Sequence, residues 1–445
     1  MFLSQPGANP QESRRAPGRP GALRRLIMIA LSVFLLFVVL GAAGAGAASP
    51  PGSSSADHPG QVRVMVVFDR STFGSAHMQR ALAAAGANVL KAIPGARMMV
   101  ATLPSQAAAR MLAGRSGVER VEVDSVVHAT AKPDRAGKPT TTTTTAPTPA
   151  QVEPRGVARV GAPNAWAADD RGDGVNVAVI DTGIDLDHPD LAANIEGGYM
   201  AIAATRRYRK NRSYDDDNGH GTHVAGIVAA ADNDQGVVGV APAAHLYAVK
   251  ALDQNGSGWT SDIVDALYWA IGTHTDLDAA GNLTPDNDIQ VINMSLGSDY
   301  PSDSFAQAVK DAYTADILVV AAAGNDGAAV DYPGAYTDVL AVAATSASDA
   351  VPWWSSRGPE VELAAPGVDV YSTYRGGGYT YLSGTSMAAP HVSGSAALVW
   401  GTYPQWSAAE VRAALDDNAD DSLGLTNNIV GNGLVRPDWV LGLGL

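Results

Sequence analysis

Val175-Asn-Val-Ala-Val-Ile-Asp181-Thr-Gly-Ile-Asp185 is a near-continuous apolar run that ends in a carboxylate and a glycine turn. A short apolar run without polar alternation predicts a strand buried on both faces of a parallel sheet. Four more runs of this kind follow, at His245–Val249, Gln290–Met294, Ile317–Ala322 and Val339–Ala343. Between them the pattern predicts helices over His220–Ala231, Ser261–Ile271, Ser304–Asp316 and Ser386–Gly401. Strands alternating with helices give an α/β fold, a doubly wound, mainly parallel sheet with helices on both faces. Sites on such sheets form outside the carboxyl ends of the strands, where Asp181 stands.

Three further segments carry chemistry-bearing residues to such positions. In Asn218-Gly-His220-Gly-Thr-His223-Val-Ala-Gly226 a glycine turn feeds a helix with His220 at its mouth. Gly384-Thr-Ser386-Met-Ala-Ala-Pro-His391-Val sets a serine at the start of a long apolar helix, near free amide donors and the positive dipole end. Val319-Val-Ala-Ala-Ala-Gly324-Asn325 ends an apolar strand with a side-chain amide. A serine hydroxyl is a poor nucleophile unless a positioned base takes its proton, and that base needs its other nitrogen fixed. Asp181, His220 and Ser386 supply those three parts. Taken singly each has a bland reading: a turn carboxylate, a structural histidine such as His223 or His391, a turn-forming asparagine. Four long motifs in one order outweigh it.

The four motifs resemble those of the subtilisin-like serine peptidases over about Gln151–Pro437, nearly all of the second part of the chain. The resemblance implies that Asp181 orients His220, that His220 is the general base and that Ser386 is the nucleophile. It implies that Asn325 donates to the oxyanion beside the Ser386 amide. Ser295, Leu296 and Gly297, and likewise Ala322, Ala323 and Gly324, resemble the family's two extended segments that pair with the substrate backbone. It also implies a structural calcium ion held by Gln151, Asp190, Asn233 and the carbonyls of Ala231, Gln235 and Val237, all of them oxygen donors suited to a hard cation. By the same resemblance, Asp331 matches the family position at the base of the first specificity pocket, with Asp326 at its rim. A carboxylate there favours lysine or arginine before the scissile bond; turned to solvent, it leaves a large apolar pocket, and both readings stay open.

The N-terminal third reads differently. Arg14, Arg15, Arg19, Arg24 and Arg25 precede an apolar run over Leu26–Leu40 and the small residues of Gly41–Ala48, the order of a secretory signal cleaved near Ala47 or Ala48. An uncleaved anchor is the alternative. A polar spacer (49–60) leads to a small α+β unit over 61–130, with strands at Val62–Phe68, Arg97–Leu103 and Val118–Val127 and helices at Ser75–Gly86 and Ser105–Ala113. This unit resembles the family's propeptide inhibitors. A Thr/Pro-rich linker (131–150), with six consecutive threonines at Thr140–Thr145, joins it to the catalytic domain (151–445). First cleavage falls near Thr130 or nearer Ala150.

Composition bounds the partners. The formal charge of −15 divides into +9 over residues 1–150 and −24 over 151–445. An acidic body repels nucleic acid and anionic membranes, while the opposite charge of the first part favours its docking as an intramolecular inhibitor. With no cysteine in the chain, a disulfide framework, a thiolate site and lipid anchoring through cysteine are excluded. The acids of the insertion at Thr273–Asp288 (Asp276, Asp278, Asp286, Asp288) and the run Asp215, Asp216, Asp217 read as solvated surface loops, with a second calcium site as the alternative. The expectation is thus a secreted, monomeric serine endopeptidase acting on proteins, free of the membrane after signal cleavage. The alternative is an inactive, calcium-binding relative, which the filled catalytic positions oppose.

Overall fold

A computed structural model describes residues 60–130, 150–202, 213–272, 288–423 and 427–444. The expected signal, nearly all of the spacer and linker, and the insertion up to residue 287 lie outside them. The N-terminal part comprises β1 (Val62–Phe68), α1 (Ala76–Ala84), β2 (Asn88–Ile93), β3 (Met98–Leu103), α2 (Gln106–Ala113) and β4 (Val118–Val123). Its antiparallel sheet has the order β2-β3-β1-β4. Ser75 and Ser105 cap the two helices by accepting from the amides of Met78 and Ala108, as residues with a short side-chain acceptor do at this position. The expected strand over Val118–Val127 is broken. Asp124 turns out of it to accept from the amide and hydroxyl of Ser261, at 2.9 and 2.6 Å, and the chain resumes as β5 (Val126–Ala129) in a different sheet.

The larger part runs through α3 (Arg155–Arg159), α4 (Ala162–Ala167), β6 (Asn176–Asp181), β7 (Ile195–Met200), α5 (His220–Ala229), β8 (His245–Lys250), β9 (Ser257–Trp259) and α6 (Thr260–Ala270). There follow β10 (Val291–Met294), β11 (Leu296–Gly297), α7 (Asp303–Thr314), β12 (Leu318–Ala322), β13 (Leu340–Thr345), β14 (Val361–Pro366), the hairpin β15 (Val370–Tyr374) and β16 (Gly378–Leu382), α8 (Thr385–Thr402) and α9 (Ala408–Asp417). Seven strands form one sheet, β14-β13-β12-β10-β6-β8-β7, with every pairing parallel. Its two faces are filled alternately, as the period-2 geometry of a strand requires. Val177 and Val179 of β6 pack with α5 and α8, whereas Ala178 and Ile180 pack with α6 and α7. This is the doubly wound α/β architecture expected from the sequence.

The small sheet rests on the α6 and α7 side, where Met65, Val67, Met98 and Val100 join the same apolar core. Its acids meet helix N-termini, where free amides and the dipole favour negative charge. Glu122 accepts from the Ser304 amide at 3.1 Å and the Ser302 hydroxyl at 2.7 Å at the head of α7, while Asp124 serves Ser261 in the first turn of α6. Lys91 of β2 bonds to Asp262 and Asp265 of α6 at 2.7 and 3.0 Å. Its ammonium is partly buried, which acts against the charge, but the two carboxylates outweigh this and hold its pKa above the ordinary lysine value.

Candidate active site

Asp181 is the last residue of β6, so a buried strand carries its carboxylate to the carboxyl edge of the sheet. Oδ1 accepts from the Thr182 amide at 2.7 Å and lies 2.8 Å from His220 Nδ1. An ionised carboxylate only accepts, so Nδ1 carries the proton of the neutral ring and Nε2 is left with a free lone pair. That Nε2 is buried and has no hydrogen-bond partner. Burial acts to lower the His220 pKa, but the charge and hydrogen bond of Asp181 outweigh it and hold the ring above the ordinary histidine value. The ring opens α5 behind Gly219, whose φ of +117° suits glycine.

The turn before His220 is organised by Asp216, and here the surface-loop expectation is corrected. Asp216 is buried; Oδ1 accepts from the amides of Asn218 and Gly219 (2.8 and 2.9 Å) and from the Thr182 hydroxyl (2.9 Å), and Oδ2 from the amide and hydroxyl of Thr222 (3.0 and 2.6 Å). Its neighbour Asp217 meets the buried Lys250 ammonium at 2.6 Å, and Lys250 also donates to the Thr182 carbonyl. Five donors and a buried cation explain why Asp216 and Asp217 sit at this turn, while Asp215 is exposed as expected.

Ser386 is the second residue of α8, a helix buried from Thr385 to Trp400 and packed against α5. Pro390 lies inside this helix and lacks an N–H, so the Ser386 carbonyl has no donor one turn on. The Ser295 hydroxyl takes that place at 2.8 Å. The Ser386 hydroxyl donates to the Ser295 carbonyl at 3.0 Å and shares a 2.6 Å hydrogen bond with the Thr130 hydroxyl. In this state it is thus directed to those groups and not to His220. Asn325 follows β12 and is oriented by Thr385, whose amide and hydroxyl donate to its Oδ1 at 2.9 and 3.0 Å. Its buried Nδ2 is left without an acceptor. Thr385, which the sequence reading missed, therefore fixes which end of the Asn325 amide faces outward.

The strand β5 lies in the cleft. It pairs antiparallel with β11, Leu296 opposite Ala129 and Gly297 opposite His128, and on its other edge with β9, Val126 opposite Trp259. The Thr130 amide donates to the Ser295 carbonyl at 3.3 Å, which sets Thr130 beside Ser386. Ala322, Ala323 and Gly324 do not pair with β5; the Ala323 amide donates to the Val342 carbonyl and its carbonyl accepts from the Asp331 amide instead. The second flank is β9, three residues long and without a pattern to mark it beforehand.

The six expected calcium ligands converge in one place. Isolated bridges tie Ala150 to Gln235 and Val152 to Val237. Gln151 Oε1 accepts from the Asn233 amide at 3.0 Å, and buried Asp190 accepts from the Val237 amide at 2.9 Å. The Asn233 side-chain amide approaches Asp190 Oδ1 at 3.4 Å, and the Asp190 carbonyl accepts from Ala231 at 2.8 Å. A carboxylate, two carboxamides and loop carbonyls, drawn from the 150–152 segment, from Asp190 and from the 231–237 loop, are the donor set of a hard cation.

Two further buried histidines are structural. His223 Nε2 meets the carbonyls of Val370 and Thr380 at 3.0 and 3.2 Å, and His391 Nδ1 that of Met387 at 2.8 Å. Burial, with His220 nearby, lowers the His223 pKa to about 3, and burial lowers that of His391 to about 4. Folded values below the unfolded value of about 6.5 mean that their stabilisation is complete above that pH and is lost as pH falls towards 4 and then 3. The melting temperature of the Ser386→Ala chain, which cannot digest itself, is therefore expected to fall as pH drops below about 6. A flat profile from pH 7 to pH 4.5 would contradict this.

Comparison with known proteins shows what the chain is similar to. The profile of the Subtilase family matches residues 172–433. Subtilisin Savinase of Lederbergia lenta is 46% identical over 290 residues, which cover 65% of this chain and 98% of that protein. An alkaline protease of Shouchella clausii is 46% identical over 292 residues (65% and 70%), and Subtilisin E of Bacillus subtilis strain 168 is 42% identical over 275 residues (61% and 67%).

Proposed function

The chain belongs to the subtilase family and is a serine-type endopeptidase whose substrates are proteins, and on that premise we propose that it is a secreted, self-maturing enzyme in which Asp181, His220 and Ser386 form the triad. One observation carries the catalytic assignment. His220, oriented by Asp181, keeps a free acceptor at the head of α5, the helix packed on the α8 that carries the buried Ser386, and Asn325, oriented by Thr385 next to Ser386, keeps a free donor.

In this reading a substrate strand takes the place of β5 between β11 and β9. Ser386 Oγ turns to His220 Nε2, passes it a proton and attacks the carbonyl carbon. The oxygen gains the electron pair of the carbonyl and is met by Asn325 Nδ2 and the Ser386 amide, fixed donors that need no reorganisation. The C–N bond breaks, His220 returns the proton to the departing amine, and an acyl-enzyme remains. Water, deprotonated by the same ring, then releases the acid. Asp181 stabilises the imidazolium in both halves.

Residues 61–130 act as an inhibitory prosegment whose tail fills the cleft. The bond of Thr130 to Ser386 supports a first cut between Thr130 and Ala131, leaving residues 131–149 at the head of the mature chain. No described helix is long and apolar enough to cross a membrane, and secretion rests on the signal pattern of residues 1–48. A fluorophosphonate probe tests the catalytic assignment: it labels the matured enzyme once, on Ser386, and labelling abolishes hydrolysis of a protein substrate. Label elsewhere, or hydrolysis surviving full labelling, counts against it.

Calcium would be held by Gln151, Asp190, Asn233 and the carbonyls of Ala231, Gln235 and Val237, where it adds charge neutralisation and cross-links the 150–152 segment to its loop. Chelation is expected to lower the melting temperature of the matured enzyme, since an ion held at 1,000 times its Kd contributes about 4 kcal/mol. An unchanged melting curve removes the ion.

A further inference from the structure

We propose that the pocket beside Ser386 is built for a cationic side chain, so that the enzyme cuts after lysine or arginine; this rests on the endopeptidase reading above. The bound strand locates the pocket. Thr130 is the last residue of β5's run through the cleft, and its methyl carbon lies 3.1 Å from the position that a Cβ on Gly297 would occupy. Asp331 stands in the same space. A Cβ added to Gly297 would come within 2.7 Å of Asp331 Oδ2, and one added to Gly324 within 2.6 Å. The carboxylate therefore lies between the two glycine-ended segments, Ser295–Gly297 and Ala322–Gly324, and not out in solvent. Its backbone is fixed there: the Asp331 amide donates to the Ala323 carbonyl at 2.9 Å, and Tyr332 and Ser298 exchange bonds of 2.9 Å.

Two more acids face Asp331, Asp299 from the residues after β11 and Asp326 from the residues after β12. One carboxylate oxygen from each of the three lies within 4.8 Å of the others. Asp326 is held in place by the Ser356 hydroxyl at 3.0 Å and the Ala328 amide at 2.8 Å. The charged groups that act on Asp331 are these two acids, and no described cation offsets them; burial and both neighbours raise its pKa to about 7. An ammonium or guanidinium entering this space relieves the repulsion and gains charge-assisted hydrogen bonds. A leucine or phenylalanine would desolvate the acids and return nothing. Thr130, short and neutral, forgoes that pairing, so the residue at the maturation junction is not the one the mature pocket favours.

The test compares matched peptides that differ only in the residue before the scissile bond, using enzyme matured from the full chain with its active sites counted by fluorophosphonate. Arginine and lysine are expected to exceed phenylalanine and leucine in kcat/KM by about 10–100-fold. The ratio should grow as pH rises from about 6 to about 8, because Asp331 ionises over that range. Asp331→Asn and Asp326→Asn should each reduce the ratio, with the count of labelled Ser386 reporting that the variants fold. A preference for phenylalanine or leucine in labelled enzyme, or a ratio unmoved by both substitutions, overturns the inference and leaves the endopeptidase reading intact. Failure of Ser386 to label sinks both.

Discussion

Ser386→Ala is expected to lower kcat on a peptide substrate by on the order of 10⁶-fold, and His220→Ala by a similar factor, with KM little changed. That magnitude was measured in a subtilisin, a relative of this chain. The two losses are alike because the groups act as one unit: without Oγ there is no nucleophile, and without Nε2 nothing takes its proton. KM should be spared because, in the proposed reading, the substrate backbone is held by β11 and β9, the strands that pair with β5, and not by the triad. The double variant should be little worse than either single one. Losses that instead multiplied would mean that the serine and histidine work independently, contrary to the geometry.

Asn325→Leu is the second large effect, an expected fall of roughly 10²–10³ in kcat, again a figure taken from a subtilisin. Leucine keeps the branching at Cγ and removes the donor. The ground-state substrate needs little from Nδ2, so KM should hold while the transition state loses its hydrogen bond. Thr385→Val probes the same role indirectly. It removes a hydroxyl that donates to Asn325 Oδ1 and bridges to Gly324, so it should lower kcat by less and leave KM unchanged. A rise in KM with constant kcat in Asn325→Leu would show that the side chain binds substrate uniformly.

The sheet was readable because its central strands are short, apolar and ended by glycine turns, which leaves few alternatives to a buried parallel arrangement. The candidate catalytic residues were readable for the same reason, since each stands where such a strand or helix begins or ends. What escaped is held by distant partners. β2 is an edge strand whose Asn88, Val89 and Leu90 are exposed, so it carries little burial pattern. β5 and β9 are four and three residues long and pair only with each other and with β11, so nothing in their own sequences marks them as strands. Asp216 looked like one of three solvated acids because its five donors come from Thr182 and from Asn218 to Thr222, a convergence that only the folded turn supplies. The direction of Asp331 depended on the length of a loop, which fixes the backbone only once Tyr332 pairs with Ser298.

The contact of Thr130 with Ser386 gives the most direct test of an enzyme that cuts itself free. The full chain and its Ser386→Ala variant are expressed in parallel and followed by intact mass in calcium buffer. The unmodified chain should divide between Thr130 and Ala131 while the variant stays whole. If both remain whole, or both are cut alike, Ser386 is not the agent of maturation and the proposed site is contradicted.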